Sequence, residues 1–185
     1  SWTSISGETA EAEYVDCRNG IVFVRNSTDN IMDVPMWNLS EDAQRYVVNR
    51  KGWAVVQVNR EPTIKSSLDV RLHKRVDKKK LKQIANDLRS FKENREPRLF
   101  IVYYLPDMKI DAGGWATSHF NPNLEIQVLG LPKEVYDQAV ADSEKTEKEQ
   151  VVGRWSDTGI GGGLITFVKE GKSLIIIHRF NDGSE

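Results

Sequence analysis

Asp77-Lys78-Lys79-Lys80-Leu81-Lys82-Gln83-Ile84-Ala85-Asn86-Asp87-Leu88-Arg89-Ser90-Phe91, followed after a short connection by Leu99-Phe100-Ile101-Val102-Tyr103-Tyr104-Leu105, decides how the middle of the chain folds. Leu81, Ile84, Ala85 and Leu88 recur at the i, i+3, i+4, i+7 spacing that lines up one stripe of an α-helix. Leu99 to Leu105 is a near-continuous apolar run, which predicts a strand buried on both faces. Upstream, Ser67 to His73 puts Leu68, Val70 and Leu72 on one face of another strand. Downstream, strands are expected at Trp115 to Phe120 and Leu124 to Leu129, separated by the turn Asn121-Pro122-Asn123, and a helix is expected from Pro132. The middle of the chain therefore reads as a β-α-β-β-β-α layer: a mixed sheet with helices packed against it.

Residues 2–36 instead alternate short β-rich runs with turn residues: Trp2 to Ile5, Ala10 to Cys17, Ile21 to Arg25 and Ile31 to Met36. Asn19-Gly20 between two such runs is a hairpin signal, because both residues tolerate positive φ. Ser40 can cap a short helix, with Glu41 and Asp42 favourably placed in its first turn, and the helix is expected to end near Asn49 to Gly52. Toward the other end, residues 142–150 carry no large apolar side chain and read as a helix tail or linker. Val151 to Trp155, Leu164 to Lys169 and Ser173 to Phe180 then predict an antiparallel β-meander with a turn at Glu170-Gly171. Asn181 to Glu185 is a turn signal, pointing to a further strand beyond it or to a meander edge that meets a partner. The expected fold class is α+β, with a small N-terminal β-barrel-like module (1–60), a central layer (61–141), the linker (142–150) and the meander (151–185).

Composition bounds the function. The chain has 185 residues, 26 Lys+Arg against 27 Asp+Glu, and a net charge of −1. Such a balance argues against a dedicated nucleic-acid protein. The single cysteine rules out an internal disulfide framework or a cysteine-rich zinc site, and Cys17, in an alternating strand, reads as a small buried apolar residue. No window holds the ~18 consecutive apolar residues of a membrane-spanning helix.

The ordered set Trp2-Thr3-Ser4, Ala10-Glu11-Ala12-Glu13-Tyr14-Val15, Gly20-Ile21-Val22-Phe23-Val24, Asp33-Val34-Pro35 and Leu39-Ser40-Glu41-Asp42-Ala43-Gln44-Arg45-Tyr46-Val47 resembles the small homology domain first described in yeast endocytic adaptors. That resemblance covers residues 2–48. It implies a compact Src-homology-type barrel and, from the adaptors, recognition of Asn-Pro-Phe-x-Asp peptides, with no individual binding residue carried over. Similar stretches occur in uncharacterised and often exported bacterial proteins, which implies an extracytoplasmic location. Residues 62–131 resemble the segment that follows the module in some of those proteins.

Three stretches are candidate sites. Asp107 to Asn123 gathers carboxylates, a glycine pair, an aromatic ring, hydroxyls and an imidazole. His119 with Asp111 is its candidate catalytic pair; Trp115, Thr117 and His119, expected on one strand face, are its candidate binding patch. Ser118 and His119 point to opposite faces of a strand and so do not converge. Arg71 to Lys82 holds seven Lys or Arg and one Asp, a candidate nucleic-acid surface that lacks accompanying aromatic platforms. Thr158 to Leu164 is glycine-rich, but a β-rich run follows it where a phosphate loop needs a helix, so it reads as a hairpin loop. His73, His119 and His178 show no ligand spacing, so neither a metal site nor a cofactor is expected. Trp2, Trp37, Trp53, Trp115 and Trp155 read as core or inter-domain anchors. The favoured function is a non-enzymatic protein that binds a peptide or protein partner; a hydrolase built on His119 and Asp111 comes second, and nucleic-acid binding last.

Overall fold

The computed structural model describes residues 1–61, 64–110, 112–138, 150–156, 163–170 and 173–180. The protein is α+β. Its strands are β1 (Trp2–Thr3), β2 (Thr9–Ala10), β3 (Glu13–Arg18), β4 (Ile21–Arg25), β5 (Ile31–Pro35), β6 (Trp53–Glu61), β7 (Lys65–Leu72), β8 (Arg98–Tyr104), β9 (Ala116–Phe120), β10 (Leu124–Val128), β11 (Gln150–Ser156), β12 (Gly163–Glu170) and β13 (Ser173–Phe180). Its helices are α1 (Glu41–Lys51) and α2 (Lys78–Ser90), and a further short helical segment covers residues 133–138 after β10.

The centre is a five-stranded mixed sheet in the order β10-β9-β8-β7-β6. Only the β7 to β8 pairing is parallel, and α2 is its crossover. Leu81, Ile84, Ala85 and Leu88 are all buried against Leu68, Val70 and Leu72 of β7 and Leu99, Ile101 and Tyr103 of β8. Helix α2 begins where the Asp77 carboxylate accepts the Lys80 N–H at 2.6 Å. Three lysines open this helix, so Asp77 supplies the negative charge that its N-terminus favours. Asp77→Ala is expected to cost about 1–2 kcal/mol, and Asp77→Asn, which keeps the acceptor, clearly less; urea midpoints of the two variants measure this. Because α2 covers one face of the sheet, Phe100 on the other face is 38% exposed. Strand β8 is thus not buried on both faces, as its apolar run predicts.

Residues 53–61 form a strand that was not among the sequence expectations. Strand β6 pairs with β7, with a bulge between Val55 and Gln57. Val55 enters the core under α2, while Ala54 and Val56 pack with Cys17, Val22, Val24, Met36, Val47 and Val48. One strand thereby serves two cores, which is why it carries no simple alternation.

In the N-terminal part, β3-β4-β5 form one antiparallel sheet and β1-β2 a separate ribbon. The strands do not close into a barrel. The expected single strand Ala10 to Cys17 is broken: β1 and β2 are two residues each, too short to carry a continuous ladder, and α1 packs on the cluster instead. The Asn19-Gly20 turn is as expected, with φ of 47° and 81°. Asn94, fully buried, donates to the Asn19 side chain and to the Leu88 carbonyl, both at 2.8 Å, tying this turn to the end of α2. Strands β11, β12 and β13 form an antiparallel three-stranded sheet in chain order. Most of the expected linker and the glycine-rich loop lie outside the described residues, and no helix is long and apolar enough to cross a membrane among those described.

Candidate functional site

Strand β9 separates the residues grouped by the sequence. Trp115, just before the strand, is 1% exposed and lies in the core beside Ala116 and Phe120. Its indole N–H donates to the Leu131 carbonyl at 2.9 Å. Ser118 is also buried and donates to the Tyr103 hydroxyl at 3.1 Å. Thr117 and His119 fall on the other face, paired across strands with Val102 and Phe100 of β8 and with Gln127 and Glu125 of β10. His119 Nε2 is 3.4 Å from the Glu125 carboxylate, and its ring stacks on Phe100 at 5.8 Å. The structure therefore brings Thr117 and His119 together and leaves Trp115 out. Asp111 lies outside the described residues.

A second grouping forms on the N-terminal part. Trp2 of β1, Tyr14 of β3 and Tyr46 of α1 converge with ring centroids 5.7–6.2 Å apart: Trp2 stacks on Tyr14, and Tyr46 meets both edge-on. The Trp2 indole donates to the Ala12 carbonyl, fixing its orientation. Arg50, one turn after Tyr46 on α1, lies 5.3 Å over the Tyr14 ring. Burial pushes the Tyr14 hydroxyl up to about 12, with Cys17 and Asp16 adding to the effect. Tyr46 remains 48% exposed. The helical spacing of Tyr46 and Arg50 was visible in the sequence, but nothing local to either residue announced that two strand residues would meet them.

A third feature is a cavity of about 710 Å³ where the carboxyl ends of β7 and β8 meet the segment around residue 136. Its walls include Lys74, Arg75, Met108, Lys109, Lys133 and Tyr136. The basic run therefore divides. Arg71 turns inward and donates to the carbonyls of Leu105, Pro106 and Met108, Lys74 and Arg75 reach the cavity, and Lys78 to Lys80 and Lys82 stay exposed on α2. Burial pulls both the Arg71 and Arg75 guanidiniums below their ordinary values. Arg75 sits 3.9 Å over the Tyr136 ring, and its Nε is a buried donor without a hydrogen-bond partner among the described residues. A buried donor in that condition costs on the order of 1–3 kcal/mol. No group of three or more His, Cys, Asp or Glu side chains that could hold a metal ion occurs among the described residues.

No protein-family model, curated protein or solved structure matches this chain.

Proposed function

We propose that the protein is a non-enzymatic peptide-binding protein whose docking surface is the Trp2, Tyr14, Tyr46 and Arg50 cluster. The observation that carries this reading is the convergence of three aromatic rings from three separate elements around a half-exposed tyrosine. Aromatic surfaces of this kind receive extended peptides with little ordering cost, because proline and phenylalanine rings pack flat on them. Arg50 supplies the complement for a peptide carboxylate. A phenylalanine and a terminal aspartate in an Asn-Pro-Phe-x-Asp peptide match that pairing of rings and cation. The same proposal takes residues 1–60 as an N-terminal module, 61–141 as a central layer, 142–150 as a linker and 151–185 as a meander, with β6 shared between the first two. An extracytoplasmic setting goes with it.

The test is a titration of the isotope-labelled protein with an Asn-Pro-Phe-x-Asp peptide, followed by backbone amide shifts. Saturable shifts are expected around Trp2, Tyr14 and Tyr46. Tyr46→Ala is expected to weaken binding by about tenfold or more, the scale of an interface tyrosine, with little change in melting temperature because the ring is half-exposed. Absence of shifts, or shifts confined to other elements, would remove the peptide reading.

A further inference from the structure

We propose that the cavity at the carboxyl ends of β7 and β8 is a second, independent binding site, and that its ligand is a small organic anion with a flat apolar body, of the aryl phosphate type. Position is the first ground. The cavity opens where the chain leaves the carboxyl ends of β7 and β8, the one parallel pair of the central sheet, so loops from both strands contribute to its wall. Size is the second, since about 710 Å³ falls within the usual range for small-molecule sites.

Charge decides the class of ligand. Lys74, Arg75, Lys109 and Lys133 line the cavity against two acids, Asp107 and Asp137. Asp137 is already paired with Lys133. Lys74, Lys109 and Asp107 form no ion pair among the described residues, so with Arg75 the described lining keeps an excess of positive charge. Arg75 is held in place by the Tyr136 ring beneath it, so its planar fork is oriented before any ligand arrives. Leu105, Pro106, Met108 and Ala112 supply an apolar wall for the body of the ligand. That wall is preformed: the Arg71 guanidinium ties the carbonyls of Leu105, Pro106 and Met108 in the loop to β7.

Phenyl phosphate, inorganic phosphate and benzyl alcohol, each titrated into the labelled full-length chain, separate the contributions of anion and ring. Phenyl phosphate is expected to shift the amides of residues 73–75, 107–109 and 112–113 saturably, and to bind at least tenfold more tightly than either half-probe. Arg75→Gln is expected to weaken it tenfold or more. Lys109→Gln, at an exposed loop position that does not support the fold, is expected to weaken it about threefold. Benzyl alcohol binding as well as phenyl phosphate, shifts spread over the whole surface, no saturation, or unchanged affinity in both variants would each overturn the proposal. The peptide titration reads residues near Tyr46, so either site can fail without the other.

Discussion

Trp115→Ala is expected to lower the stability of the protein by about 3–5 kcal/mol, the usual cost of truncating a fully buried large aromatic residue. The side chain is 1% exposed and shares the core with Phe120 and the α2 stripe. Its removal leaves a void that a packed sheet and helix can only partly fill, and it strips the Leu131 carbonyl of its indole donor. The backbone of Trp115 is pinned as well: its N–H donates to the Tyr103 carbonyl, and its own carbonyl accepts from Leu129 and Gly130. Local collapse around the deletion is therefore restricted, which places the expected loss toward the upper end of the range. Thr117→Ala, on the opposite face, is the control and is expected to stay within about 0.5 kcal/mol of the parent. Urea unfolding followed by circular dichroism distinguishes a core anchor from a binding residue. A Trp115→Ala midpoint close to the parent's would mean the indole supports a ligand rather than the fold.

The fate of Trp115 shows what kind of information a sequence carries. Strand alternation correctly separated Ser118 from His119, because within a regular strand the period is two. Trp115 sits one residue before β9 begins, and the strict period does not extend across that boundary. Helix α2 was legible because its stripe faces a single core, and the Asn19-Gly20 hairpin because positive φ demands those residue types. Strand β6 was not legible. Val55 answers to one core, Ala54 and Val56 to another, and a bulge interrupts the phase between them. Patterns that report one buried face fail when a strand is covered twice.

The sites were less legible than the fold for a related reason. Tyr46 and Arg50 are neighbours on one helix, but the rings they meet come from β1 and β3, so the cluster exists only once the N-terminal strands and α1 share a core. Likewise the cavity joins Arg75 to Tyr136 across some sixty residues of sequence. The basic run announced charge in the right place. It could not announce that Arg71 would be spent on three carbonyls while Arg75 became fixed against an aromatic ring.

Alkaline pH is expected to destabilise the protein beginning near pH 9, with Cys17 as the first cause. The thiol is 1% exposed among Val22, Val24, Val47 and Val48, and burial pushes it from an ordinary value of 9.0 up to about 11, Lys51 partly opposing and Asp16 adding. Between those two values the unfolded chain loses its thiol proton while the folded chain keeps it. The unfolded state then binds fewer protons, so stability falls as pH rises, by up to about 1.4 kcal/mol per pH unit and about 2–3 kcal/mol across the window. Tyr14 and Tyr103, whose hydroxyls burial also pushes upward, act in the same direction above pH 10. Cys17→Ala isolates the thiol: it is expected to cost about 1 kcal/mol at pH 7 through lost packing, yet to lose less stability than the parent between pH 9 and 11. Urea midpoints of both proteins from pH 7 to 11 measure this, and parallel curves would exclude the thiol as the source. At neutral pH the same shift leaves Cys17 almost wholly protonated and out of solvent, which makes it a poor nucleophile. The one cysteine of this chain thus contributes to the core on which α1 is seated, and through α1 to the placement of Tyr46 and Arg50.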